Sequence, residues 1–301
     1  MRGIVPLKRP RIALDVETSR VYGRRILMGI SRYLFAHAKW SIYIEQHEIG
    51  GDICELLNRW KGEGIISRQI NPPAVRQLQK RKLAAVDLSN FLPHLGVPRI
   101  NSADFEIGRM AAKHFVERGF QDFGCCGYVE QHWSKQRADG FADEVRYVRG
   151  TCATYEQPFR THAHSWDEDQ NRLASWLKSL PKPVGVLATN DLLGHHVLDA
   201  CSRAGLLVPE HIAVLGVDND ELLCGSAIHH FPVSFLILTK LVMKPQHGLI
   251  VLCRAKYRSR MPSSRFPRSE LQYVNRQIFS RCRTPTLRDL CSLFGSMLAT
   301  A

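Results

Sequence analysis

Five short polar runs hold the side chains with chemistry to offer. They are Glu17-Thr18-Ser19, Asn101-Ser102-Ala103-Asp104, residues 128–133 ending in Trp133, Thr189-Asn190-Asp191 and Asp218-Asn219-Asp220. Each follows a short apolar or β-branched run, and Arg137 lies just beyond the third. Carboxylates and amides can take hydroxyl groups by two-point hydrogen bonds. A guanidinium adds a planar fork of donors, and an indole adds a flat face for C–H groups. The set suits a small polyhydroxylated molecule. The same residue types also cap helices and form turns, so for Asn190, Asp191 and Asp218 spacing alone leaves both readings open.

Other constellations carry less. His162-x-His164 and His195-His196 have no Cys or carboxylate at ligand spacing, so exposed or capping histidines are expected and no metal. Asp218-Asn219-Asp220 resembles a shortened calcium loop without the loop glycine and the terminal Glu. No Walker loop, strand-following GxGxxG or nucleophile elbow occurs. That argues against a nucleotide enzyme and a cofactor. The nine cysteines are odd in number and scattered, and no secretory pattern opens the printed sequence. Reduced thiols in a cytoplasm are the expectation. The most apolar stretch, 233–252, is cut by Lys240, Lys244 and Pro245, short of the ~18 residues a membrane span needs, so no membrane segment is expected.

The elements that must position these runs alternate regularly. Strand-like runs fall at 11–16, 40–46, 64–67, 83–88, 99–101, 123–128, 151–155, 184–189 and 212–217. Helical spacing lies between them: Ile26, Ile30, Tyr33 and Leu34; Phe105, Met110, Phe115 and Val116; Leu173, Trp176 and Leu177. Continuous apolar strands joined by helices predict parallel sheets covered on both faces, a doubly wound α/β architecture. Arg118-Gly119 ends one helix and Gly205 with Pro209 another. Adjacent Cys125 and Cys126 must then point to opposite faces of their strand. In such sheets ligands sit beyond the carboxyl ends of the strands, where the five polar runs fall.

Three segments resemble the periplasmic-binding-protein-like (type I) sensor domains of the lac-repressor class: VPRINSADFEIGRMAAKHFVERGFQDFGCCGY, WSKQRADGF and GVLATNDLLGHHVLDACSRAGLLVPEHIAVLGVDNDE. Within that class, RPRIALDVETSRVYGRRILMGISRYL is most similar to the xylose-operon regulators of the AraC type. The resemblance runs from about residue 8 to 225. It implies a two-lobe, hinge-closing sugar sensor, with an N-terminal lobe at 8–125 and an incomplete C-terminal lobe at 126–225. Arg137, Asn190 or Asp191, and Asp218 match motif positions that contact the sugar in this class. Trp133 falls where an aromatic lining residue is expected, while Glu17 and Arg25 lie in a more variable loop. The implied effector is a xylose-like pentose. Operator DNA and a homodimer are implied for the intact family member, as is a cytoplasmic location. A small-molecule enzyme on a doubly wound α/β fold is the alternative, since fold does not fix function. A sensor needs hydroxyl-matching groups and no activated acid–base pair, which favours the non-enzyme.

Beyond Gly225 the sequence changes character. Of the last 76 residues, 12 are Lys or Arg and two are Asp or Glu, so most of the net charge of +13 sits there. The family continues with a Leu-Ser-x-Pro-Pro-Leu-Ser-Ser-Val strand, whereas this chain reads SAIHHFPVSFLILTKLVMKPQ. If one base is lost before Ser226, codons permitted by the printed residues recover LSNPPLSSVIPDPDKIGYEAA. The expectation is that 226–301 is an out-of-frame basic tail forming no domain, that the DNA-binding domain is absent, and that the product is truncated and non-functional. Its Arg cluster (Arg254, Arg258, Arg260, Arg265, Arg268, with Lys256) then offers only sequence-blind attraction for phosphates.

Overall fold

A computed structural model describes residues 9–37, 40–45, 52–159 and 165–227, together with short strands at 236–238, 240–244 and 248–252. The chain divides into two compact units, with the division between Asn101 and Ser102.

In the first unit, β1 (Arg11–Asp15), β2 (Ser41–Glu45), β3 (Gly64–Ser67) and β4 (Ala84–Asp87) form a parallel sheet in the order β2-β1-β3-β4. Successive residues of β1 feed different cores. Ile12 and Leu14 pack with Ile30 and Tyr33 of α1 (Val21–His37). Ala13 packs with Leu57 of α2 (Ile53–Arg59) and Leu78 of α3 (Pro72–Arg81). Burial on both faces is why this sheet's inner strands read as continuous apolar runs. Asn71, whose side chain accepts from Ala74 N at 2.9 Å, and Pro72 start α3 where the sequence places them. The run at 99–101 forms only a single bridge, Asp87 to Arg99, rather than the expected strand. Pro98 has no N–H to give a ladder there.

The second unit repeats the plan. The strands β5 (Asp122–Val129), β6 (Thr151–Pro158), β7 (Val184–Ala188), β8 (Ile212–Val217) and β9 (Leu236–Leu238) are parallel in the order β6-β5-β7-β8-β9. One face carries α4 (Asp104–Val116) and α5 (His132–Tyr147); the other carries α6 (Trp166–Ser179) and α7 (Asp191–Ala204). Cys125 joins the first core and Cys126 the second, as alternation requires. A short α8 (Glu221–Ala227) follows β8. Ser165 and Glu168 form a reciprocal cap at the start of α6, and Gly205 at φ 68° closes α7. Phe105, expected on the buried face of α4, is exposed; Ile107, Ala111, Ala112 and Phe115 form that face.

The division falls between Asn101 and Ser102. The reason is α4, which packs on α5 of the second unit with its backbone almost in contact. A Cβ on Gly108 would overlap the Arg137 carbonyl oxygen, and one on Gly140 would overlap that of Phe105. Interior glycines cost a helix ~1 kcal/mol each relative to Ala, a cost offset here by that close crossing. Short strands are also described after Gly225. Strand β9 pairs with β8, and β10 (Lys240–Lys244) pairs with β11 (Gly248–Leu252). The Arg cluster at 254–268 and His162 and His164 lie outside the described residues. Among the described residues, no helix is long and apolar enough to cross a membrane.

Candidate functional site

Each sheet reverses its winding direction once, between β1 and β3 in the first unit and between β5 and β7 in the second. The carboxyl ends flanking such a switch point are where open α/β sheets hold ligands. Polar side chains are buried at both.

In the second unit the site grows from the β7 end. Thr189 N donates to Cys126 O at 2.9 Å, carrying the β5–β7 ladder one residue further. The Thr189 hydroxyl shares a 2.9 Å hydrogen bond with Ser134, whose oxygen also accepts from Tyr128 N at 2.8 Å. These contacts fix the first turn of α5 against the sheet. One helical step later, Arg137 is only 5% exposed. Its Nε donates to Asp104 Oδ1 at 2.8 Å and its Nη1 donates to Thr189 O at 2.6 Å. The same Nη1 lies 3.7 Å from Asp218 Oδ1, and the guanidinium carbon sits 5.0 Å from the centre of the Trp133 ring. Trp133 meets Tyr128 edge-on, and Tyr128 in turn meets Phe159, making an aromatic wall beside the cation.

The two ends of α7 and β8 settle the capping question residue by residue. Asn190 is the N-cap of α7, its Oδ1 accepting from Leu193 N at 2.9 Å, so its amide N–H groups are its remaining donors. Asp191 Oδ2 accepts from Asp220 N at 2.7 Å, with the Cys224 thiol at 3.9 Å. Its Oδ1 is buried without a hydrogen-bond partner among the described residues. Burial, reinforced by the Asp218 carboxylate, pushes the Asp191 carboxyl up to about 8. Asp218 is the more open acid, its side chain 25% exposed.

In the first unit, Glu17 follows β1 and is buried in an ion pair with Arg68, which follows β3. The Arg68 guanidinium lies 4.5 Å from the Tyr22 ring centre and 5.4 Å from that of Phe91. Arg25 is exposed on α1; its neighbour Arg24 donates to Thr18 O and Ser19 O, each at 2.9 Å. The structure therefore brings together Trp133, Arg137, Asn190, Asp191 and Asp218 within the second unit, and places Glu17 in a separate cluster of the first. Sequence reasoning passed over Arg68 and Ser134 and the roles of Thr189 and Asp104. Arg68 had a usable signal, a cation directly after a fully buried strand.

A periplasmic binding protein-like domain family matches residues 112–234, and the XylR N-terminal domain family matches residues 11–93. The xylose operon regulatory protein of Haemophilus influenzae is 31% identical over 223 residues, which is 71% of this chain and 56% of that protein. Its namesake from Escherichia coli K12 is 29% identical with the same coverage. A solved structure described as the xylose-binding transcription activator xylR superposes with a TM-score of 0.64 at 26% identity, covering 77% of this chain and 59% of that one. The chain thus spans a little over half the length of the curated relatives it matches.

Two twisted parallel sheets wound alike, with polar clusters at their switch points, define a type I periplasmic-binding-protein-like ligand-binding region. Within that class the chain carries the sensor domain of the xylose-operon regulators. These relatives are named as regulators, in line with a non-enzyme.

Proposed function

We propose that this sensor domain binds a pentose of the D-xylose type and serves a transcription regulator as its input. The observation that carries the reading is Arg137, a buried donor fork held by Asp104 and Thr189 O beside the more open carboxylate of Asp218 and over the Trp133 ring. Such a group presents a charged donor, a charged acceptor and an apolar plane within one small region, the set a sugar's hydroxyls and C–H face require. Asp218 and Arg137 take ring hydroxyls, the Asn190 amide donates to another, and Trp133 lies under the ring.

The partners are proposed at the same level: operator DNA and a second copy of the chain for the regulator as a whole, in a cytoplasm. The segment from Ser226 is proposed to be the family's continuation read one base out of frame. What supports this is the recovered LSNPPLSSVIPDPDKIGYEAA string, which resembles the family's missing strand. Isothermal calorimetry with D-xylose tests the sugar reading. Saturable heat that Asp218→Ala weakens is the expected result, and an absence of heat with any aldopentose overturns it.

A further inference from the structure

Asp218 and Asn219 are consecutive non-glycine residues at positive φ, 108° and 54°. Asn tolerates the left-handed region, but 108° lies outside it, and such backbone persists only where neighbouring groups hold it. Two contacts hold this turn from outside it. Arg137 Nη1 faces Asp218 at 3.7 Å, and the Asp220 N–H is taken at 2.7 Å by Asp191 Oδ2. On its far side the turn runs into α8, where Cys224 N donates to Asp220 O at 2.8 Å. Asp191 is 2% exposed and its Oδ2 is taken by the Asp220 N–H, so its carboxyl serves the turn while Oδ1 stays buried and unpartnered among the described residues.

We propose that Asp191 is a positioning residue: its carboxyl pins the Asp218–Asp220 turn from the start of α7 and so sets the Asp218 carboxylate against Arg137. This rests on the reading of Asp218 as a sugar contact, and it moves Asp191 out of the contacting set. It also makes the site sensitive to one proton. The groups facing Asp191 are Asp218 and Asp220 from the turn, the Cys224 thiol from α8 and Arg137 from α5, so three potential anions stand against one cation. Burial, then Asp218, raise the Asp191 acid to about 8. It is therefore protonated at neutral pH. Its ionisation strengthens the bond to the Asp220 N–H but places a second negative charge beside Asp218, which pushes the Asp218 carboxylate from its place against Arg137.

The test is calorimetry with D-xylose on the full chain between pH 6.5 and 9.5, using the wild type, Asp191→Asn and Asp191→Ala. Asn keeps the acceptor and the shape but cannot ionise. Wild-type affinity is expected to fall about tenfold from pH 7 to 9, following one ionisation. Asp191→Asn should stay within about threefold of the pH 7 value throughout. Asp191→Ala should bind about tenfold more weakly at pH 7 with an unchanged circular dichroism spectrum. Identical pH profiles for wild type and Asp191→Asn, or wild-type binding by Asp191→Ala, overturn the proposal. If the wild type shows no heat with xylose at any pH, the sugar reading fails, and Asp191 is judged by melts without sugar between pH 5 and 8. A wild-type midpoint that falls across that range while Asp191→Asn stays level supports the pin; parallel curves overturn it.

Discussion

Arg137 and Asp104 are both largely buried and face each other at 2.8 Å, which decides what substitutions near the site can report. Removing one partner of a buried pair leaves the other uncompensated, at a cost of ~3–5 kcal/mol. Arg137→Ala is therefore expected to lower the melting temperature by several degrees and to confound any binding measurement. Asp218 is partly open and 3.7 Å from the same guanidinium, so its loss disturbs the fold less. Asp218→Ala should forgo ~1.5–3 kcal/mol of hydrogen bonding to a charged group, or about 10- to 150-fold in affinity for D-xylose. Near wild-type stability with that loss is the pattern to look for; wild-type affinity would remove Asp218 from the site. The pH dependence of stability belongs to Asp191. Its acid is raised in the fold from 3.8 to about 8, so below pH ~4 both folded and unfolded chains hold the proton and nothing is lost. Between those values the unfolded chain ionises first, and stability declines until the folded acid also ionises. Urea unfolding midpoints should thus fall from pH 5 to 8 and level above, and Asp191→Asn should remove most of that slope.

At the scale of elements, the crossing of α4 on α5 carries a sharp expectation. Gly108 faces the carbonyl of Arg137 itself, so a methyl group there must push the backbone that holds the guanidinium. Gly108→Ala gains ~1 kcal/mol of helix propensity, but overpacking at a backbone contact costs ~1–3 kcal/mol or more. The balance should be a net loss of stability together with weakened sugar binding, measured by denaturant unfolding and calorimetry; a stabilised variant would show that the helices can separate freely. The same crossing explains what sequence could not tell. Strands were legible within a few residues, because sheets covered on both faces write continuous apolar runs, as at Gly64–Ser67 and Ile212–Val217. The amphipathic pattern of α4 gave its existence but not which sheet it would join. Site residues on the motif loops were legible from type and position. Asp104 and Arg68 were not, because each acquires its role from a partner 33 or 51 residues away. Asn190 and Asp191 are neighbours of similar type whose duties separate only once the cap and the Asp220 contact are visible.

At the scale of the whole molecule, the question is what the residues after Gly225 contribute. In the second unit β8 is extended by β9, three residues of a segment whose composition is basic and unlike the rest. If that segment is the family's sequence read out of frame, its pairing with β8 is made by whatever β-prone residues the shifted frame happens to supply. Leu236, Ile237 and Leu238 are such residues, and backbone pairing asks little more of them. Side-chain complementarity is a different demand, since interiors are packed to crystal-like density and mismatches cost ~1–3 kcal/mol each. Replacing residues 226–246 by LSNPPLSSVIPDPDKIGYEAA, a string of equal length, should therefore stabilise the chain. For a protein of this size ~2–4 kcal/mol corresponds to roughly 4–16 °C in melting temperature. The restored chain is expected to melt at least about 5 °C higher. Equal or lower melting of the restored chain would mean that the printed segment is the one this sheet was selected to hold. Sequencing the nucleotides around the Gly225 codon gives an independent answer, with a single-base deletion relative to the in-frame string as the expected finding.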